Sequence, residues 1–177
     1  MRRPDISLRT LAGLDVAGSV RANRALARRG APRLFRIVSR LGDGVLWYAL
    51  MGAVLAIDGW HAVRPVAHML LVGVVGLALY KWLKSHTARP RPYQVHSAIR
   101  LGADPLDPFS FPSGHTLHAV AFAILFTAYY PALGPIVLPF ALLVAASRLV
   151  LGLHYPSDVL AGAAIGATLA IGSLALA

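Results

Sequence analysis

From residue 44 onward the chain repeats one pattern: a long apolar run, then a polar break. The runs cover residues 44–57, 66–80, 116–130, 136–147 and 159–177. Several fall short of the ~20 residues that cross a bilayer as a helix. Trp47, Trp60, Trp82, Tyr129 and Tyr130 lie near their ends, as interfacial aromatics do, and lengthen them. With hardly a charge inside them, the runs predict an all-α polytopic membrane bundle of about five transmembrane helices. Just ahead, "RLFRIVSRL" sets Leu34, Ile37, Val38 and Leu41 on one helical face and Arg33, Arg36 and Arg40 on the other. This predicts an amphipathic helix, lying in the membrane interface or packed on the chain's own spans. The breaks at 58–65 and 131–135 are tight. The break at 81–115 is long and carries Arg, His and Pro, and a long polar loop in a minimal bundle is where function concentrates.

Composition agrees. Of 177 residues, 57% are hydrophobic and only 14% charged, against about a quarter charged in soluble domains. We read one domain, with a basic segment at 1–41 and the bundle at 42–177. The net charge of +10 could suggest nucleic acid, but its distribution does not. Residues 1–40 hold ten Arg against Asp5 and Asp15, which leaves the rest nearly neutral. A basic segment beside an apolar span reads as juxtamembrane, facing anionic lipid headgroups. It lacks the apolar core and cleavage site of a signal peptide. The absence of cysteine excludes disulfides, thiolate zinc sites and a cysteine nucleophile, and all seven acidic residues are Asp, which excludes Glu-containing zinc-protease and di-iron signatures. Small residues in "AGAAIGATLAIG" suit close helix packing in lipid.

Three polar clusters sit at span ends. "KSHTARPRP" carries Lys84 and Arg91 at the end of the second span; "PSGH" (112–115) opens the third; "SRLVLGLHYPSD" carries Ser147 and Arg148 at the end of the fourth, then His154 and Asp158 before the fifth. Following the chain up and down puts all three on one membrane face. Lys84, Arg91 and Arg148, with the N–H groups of Ser113 and Gly114, would make an anion hole suited to a phosphoryl group. A histidine oriented by a carboxylate through one ring nitrogen can attack phosphorus with the other, and a second can protonate the departing oxygen.

The ordered set resembles the type-2 phosphatidic acid phosphatase superfamily, whose pattern is Lys-x6-Arg-Pro, Pro-Ser-Gly-His, then Ser-Arg-x5-His-x3-Asp. Every specified position is met between Lys84 and Asp158. The resemblance implies His154 as the nucleophile that forms a phosphohistidine, Asp158 holding its ring, and His115 as general acid. It implies Lys84, Arg91, Arg148, Ser113 and Gly114 on the phosphoryl oxygens, and no metal or cofactor. The chain differs from many relatives in showing no transmembrane run before the amphipathic segment. Vanadium haloperoxidases share the pattern but are soluble, which the apolar runs oppose. A lipid-binding protein with a relict pocket would lack the nucleophile or the acid, and neither is missing.

Other readings are structural. Asp158 could simply cap the last helix, the reading to favour were His154 not upstream of it. His118 reads as helix packing, His68 as a satisfied interior histidine, and Lys81, His86, Arg89 and His96 as headgroup-facing. Asp104 and Asp107 read as loop solvation, or a weak metal site. The expected substrate is a lipid phosphate or diphosphate in the bilayer plane, with a lean toward an isoprenoid carrier over a glycerophospholipid. The expected location is a bacterial inner membrane. The arginine-rich start places the site on the cytoplasmic face by the positive-inside rule.

Overall fold

The computed structural model describes residues 6–176, so Arg2, Arg3 and Asp5 of the basic segment lie outside the described residues. The order is α1 (Ile6–Asn23), α2 (Ala31–Arg40), α3 (Leu46–Asp58), α4 (Val63–Thr87), the short α5 (Pro92–Val95), α6 (Gly114–Tyr129), α7 (Gly134–Val150) and α8 (Pro156–Leu174), with no strand among the described residues. Each of the five apolar runs is a helix: α3, α4, α6, α7 and α8. Among the described residues three stretches are long and apolar enough to cross a membrane: 31–95, which folds into α2 to α5, then 131–150 and 156–174; the 16-residue α6 is shorter.

Helix boundaries follow local chemistry. Gly59 (φ 54°) closes α3, and Ala88, left-handed at φ 45°, closes α4 before Pro90 and Pro92 forbid its continuation. Ser113 caps α6, and its Oγ accepts from the Thr116 N–H. Pro135 and Pro156 stand in the first turns of α7 and α8, where a missing N–H costs nothing.

Helix α6 is the hub, packed chiefly on α8 and α7 and also on α4. Gly162 and Gly166 of α8 make the first contact possible. A Cβ on them would stand 2.5 Å from the Ser113 carbonyl oxygen and 2.3 Å from that of Leu117. Small residues let the two backbones meet, as in lipid-embedded helix pairs. On the opposite side, fully buried Trp47 of α3 packs its ring against Phe122, Phe126 and Phe140. The outer faces remain apolar: Leu71 and Val74 of α4, Leu138 and Leu142 of α7, and Leu160 and Ile171 of α8 are exposed. In water such a surface is a liability, and in lipid it is the expected exterior.

The N-terminal segment departs from the sequence reading. Beyond the amphipathic helix, which is α2 and packs on α7, residues 6–23 form a further helix that we did not expect. Helix α1 has its polar side inward. Asp15, Ser19 and Asn23, four residues apart, are buried, while Leu11 and Leu14 are exposed. Asn23 is fully used: Nδ2 donates to the carbonyls of Arg100 and Val150, both at 2.9 Å, and Oδ1 accepts the Arg100 N–H at 2.8 Å. Such a helix is held by hydrogen bonds, which a hydropathy pattern does not register.

Candidate active site

The polar clusters converge at one end of the bundle around a cavity of about 220 Å³, lined by Lys84, Arg91, Gly114, His115, Arg148 and His154. Lys84 projects from the last turn of α4 and Arg148 from the last turn of α7; both are buried. Arg91, 1% exposed, follows the end of α4, where its Nη1 donates to the Leu153 carbonyl at 2.9 Å and to His154 Nε2 at 3.3 Å.

His154 sits in the turn between α7 and α8. Gly152 sets that turn with φ 73°, and a Cβ there would lie 2.7 Å from the Arg100 carbonyl, so the turn docks closely on the long loop. Leu153 and His154 return their N–H groups to the Arg148 carbonyl, which ties the histidine to the arginine beside it. His154 Nδ1 lies 3.7 Å from Asp158 Oδ2 and has no hydrogen-bond partner. The pair is therefore aligned but must close by several tenths of an ångström to bond. Burial, then the charges of Arg148, Arg91 and Lys84, pull the His154 pKa well below its ordinary value. A lowered pKa favours the neutral ring, the form that can act as a nucleophile.

Asp158 meets its capping reading and lies near the histidine without bonding it. It is fully buried in the first turn of α8, where Oδ2 accepts the Tyr155 N–H at 2.8 Å as a cap would, and it faces His154. His115, in the first turn of α6, places Nε2 3.3 Å from Asp43 Oδ1. Asp43 belongs to the turn between α2 and α3, where Gly44 has φ 114°, and it lines the same cavity. The first-turn N–H groups of Gly114 and His115 have no carbonyl within α6 to bond. Ser113 is different. It is fully buried, its N–H is spent on the Asp158 carbonyl at 3.0 Å, and its hydroxyl pairs with Thr116. The expectation that its N–H faces an anion is corrected: that N–H ties α6 to α8.

Two further expectations are corrected. Arg89 does not face headgroups; its guanidinium bridges Asp158 Oδ1 at 2.7 Å and Asp15 Oδ2 at 2.8 Å and lies over the Tyr155 ring. Asp107 is not idle in the loop; it bonds both Lys84 and Arg91. Asp43 escaped the sequence reading, and Asp15, Arg89 and Asp107 were read as peripheral; scarcity was the available signal, since four of the seven acidic residues, Asp15, Asp43, Asp107 and Asp158, pair with Lys84, Arg89, Arg91 or His115. His118 packs α6 on α4, bonding the carbonyls of Gly114 and Gly73, and His68 bonds the Tyr129 hydroxyl. Among the described residues no group of three or more metal-ligating side chains is close enough to hold an ion.

The cavity wall changes character away from the cations. Leu70, Val74, Leu77 and Phe122, from α4 and α6, make an apolar side. A second cavity of about 490 Å³ carries Arg36, Ser39, Arg40 and Asp104 among its lining residues and meets the first at Asp43, Leu106, His115 and Arg148.

Comparison with known proteins agrees with this geometry. Residues 65–177 match the PAP2 superfamily. The chain belongs to that superfamily. A decaprenylphosphoryl-5-phosphoribose phosphatase of Mycobacterium tuberculosis (strain CDC 1551 / Oshkosh) is 36% identical over 163 residues, spanning 87% of this chain and 85% of that protein. Among solved structures, LpxE of Aquifex aeolicus is similar with a TM-score of 0.79 and 27% identity, covering 92% of this chain and 95% of that one. The PAP2-type phosphatidylglycerolphosphate phosphatase of Bacillus subtilis gives a TM-score of 0.74 and 25% identity, covering 98% and 87%. The protein is a helical membrane enzyme of the PAP2 type, a phosphatase of lipid phosphoric esters.

Proposed function

We propose that this PAP2 phosphatase cleaves a terminal phosphate from a polyprenyl-linked substrate through a phosphohistidine on His154. The observation that carries the reading is His154 itself: buried, facing Asp158 through Nδ1 and turning Nε2 toward Arg91 and the cationic cavity, with burial and the surrounding cations favouring its neutral form. Nε2 attacks phosphorus as the bond to the bridging oxygen breaks. His115 gives the departing oxygen a proton. Lys84, Arg91, Arg148 and the first-turn N–H groups of Gly114 and His115 hold the equatorial oxygens, whose charge is greatest in transit. Water then attacks the phosphohistidine, His115 takes its proton, and Nε2 leaves with its electron pair restored.

The lean toward a polyprenyl carrier is supported by the apolar wall on α4 and α6 and by the mycobacterial relative's activity on a decaprenylphosphoryl sugar phosphate. The adjoining second cavity, with arginines for a phosphodiester and aspartates for hydroxyls, suits the headgroup of such a lipid. We read the site as facing the cytoplasm. In support, α1 and α2, which carry the basic segment, pack at the catalytic end, where Asp15 bonds Arg89 and Ser39 bonds Arg148.

The deciding experiment is phosphate release by the purified protein from a panel of polyprenyl phosphates, polyprenyl diphosphates, polyprenyl-linked sugar phosphates and glycerophospholipid phosphates, with His154→Ala beside it. Turnover by the wild type that vanishes in the variant supports the mechanism. Near wild-type turnover in the variant removes it.

A further inference from the structure

The three cations of the cavity are not equally available. Lys84 has three N–H donors, and three acceptors surround it: Asp107 Oδ2 at 2.6 Å, Asp107 Oδ1 at 2.8 Å and the Phe109 carbonyl at 3.1 Å. Arg91 has five N–H donors and spends four. Nη2 goes to Asp107 Oδ1 at 3.1 Å, Nε to the Asp107 carbonyl at 3.0 Å, and Nη1 to the Leu153 carbonyl and His154 Nε2. Arg148 contrasts with both. It donates to Ser39 through Nη1, and its buried Nε has no partner.

One residue, Asp107, therefore takes the donors that a phosphoryl group would need from Lys84 and Arg91. Asp107 itself is among the residues that line the cavity. We propose that Asp107 is a built-in stand-in for the phosphoryl group, an anion that holds Lys84 and Arg91 in place and competes with bound phosphate, so that product leaves faster.

This inference rests on the phosphatase reading of the site and adds to it a residue that sets phosphate affinity. Charge supports the role. Lys84, Arg91 and Arg148 present three positive charges, while a phosphate monoester brings about −1.5 to −2 near neutral pH. Three uncompensated cations would hold product as firmly as substrate, and such uniform binding does not speed turnover. Asp107 offsets one of those positive charges, on the two cations that it bonds. Burial alone would raise the Asp107 pKa, but the hydrogen bond and charge of Lys84, the charge of Arg91 and the Phe109 N–H outweigh it and hold the carboxyl below its ordinary value. The anion is thus permanent at working pH. Its side chain, at 32% exposure against 1% for Arg91, is the partner with room to yield.

The alternative is a strut that merely fixes the loop, and the two roles predict opposite signs. Asp107→Asn keeps an acceptor for Lys84 and for the Phe109 N–H while removing the charge. Competition predicts that inorganic phosphate and vanadate bind this variant at least about tenfold more tightly, and that kcat and KM fall together as release slows. A strut predicts weaker or unchanged anion binding with a loss in kcat/KM, and that outcome would overturn the proposal. Asp107→Glu, which restores the charge, should return phosphate affinity toward wild type. Should the Asn variant not accumulate in folded form, Asp107→Ser keeps an acceptor for the Phe109 N–H and reads the same sign. Calorimetric phosphate binding to the full chain in detergent needs no turnover. Tighter binding by Asp107→Asn in a chain that hydrolyses no lipid would therefore sustain this inference while removing the phosphatase mechanism.

Discussion

Arg89 Nη1 donates to Asp158 Oδ1 at 2.7 Å, on the opposite carboxylate oxygen from the one that faces His154. The aspartate is fully buried, and its second oxygen already accepts the Tyr155 N–H, so Arg89 is its cationic partner. Asp15 of α1 holds Arg89 from the far side and also accepts the Ser157 N–H at 2.9 Å. Asp15, Arg89 and Asp158 therefore form a chain from the N-terminal helix to His154, the proposed nucleophile. The Asp15 carboxyl is desolvated by burial, yet its bonds to Arg89 and Ser157 hold its pKa below the ordinary value.

Removing Arg89 should therefore damage catalysis without touching the substrate. Breaking a buried ion pair from one side costs about 3–5 kcal/mol because it strands the other charge, and an ångström of misplacement at a reacting group costs about 10²-fold in rate. Arg89→Ala is expected to lower the single-turnover rate by about that factor. Arg89→Lys should recover only part of it, since an ammonium does not span two carboxylates as a planar fork does. Asp15→Asn should be milder than either, because the Arg89–Asp158 bond survives. Equal rates in all three variants would show that the chain does not orient His154.

The positions of these residues explain what the sequence conveyed. Lys84, Arg91, His115, Arg148, His154 and Asp158 were legible because their spacing ties each to a span end, and span ends on one face must meet. Arg89 and Asp107 were not. Their partners are distant in sequence, and a charged residue in a polar loop looks solvated until the loop is folded. Ser113 was misassigned for a local reason. A helix N-terminus offers free N–H groups in general, but here the Asp158 carbonyl takes the one on Ser113. Helix α1 was missed because its Asp15, Ser19 and Asn23 face inward while leucines face out, the reverse of a soluble amphipathic helix.

The pH profile follows from the burial of His154 and the positive charges around it. Its pKa lies well below the ordinary 6.5, so the ring stays neutral as pH falls through the usual histidine range. The acid limb of kcat/KM should lie below pH 6.5 for that reason. Arg148→Met removes the largest of the depressing charges and should move that limb upward, whatever it does to the maximum. Stability carries the same sign. A group with a depressed folded pKa is neutral in the native state and protonates first in the unfolded chain, so its stabilisation is present above about pH 6.5 and lost below it. A limb at or above 6.5 in the wild type would contradict a buried, neutral nucleophile.

Gly162 offers a test in which no polar atom is altered. A methyl group there would lie 2.5 Å from the Ser113 carbonyl oxygen, inside any real contact, so α6 and α8 must part. The same displacement would strain the Ser113 N–H bond to the Asp158 carbonyl, which joins the two ends of the site. Gly162→Ala should cost about 1–3 kcal/mol of stability, as overpacking does, and lower kcat as well. Gly172→Ala, where nothing lies within 4 Å, is the control and should change neither. Equal thermal midpoints for the two variants would remove the glycine seam as the link between helix packing and site geometry.

Orientation can be settled because the chain has no cysteine of its own. The long loop and the turn between α3 and α4 lie at opposite ends of α4, so one must face the cytoplasm and the other must not. Ser97 in the long loop is exposed and suits a single cysteine. In the opposite turn Ala62 is fully buried, so the neighbouring exposed His61 is the better site. Opposing charge at that end is slight, with Arg64 near Asp58, so the arginines of the N-terminal segment dominate the bias. Lys84, Arg91 and Arg148 are not counted, since catalytic cations are held by the fold rather than by the membrane potential. In intact cells a membrane-impermeant maleimide should label His61→Cys and spare Ser97→Cys until the membrane is opened. Labelling at position 97 with protection at 61 would place the phosphatase on the outer face and sink the cytoplasmic assignment.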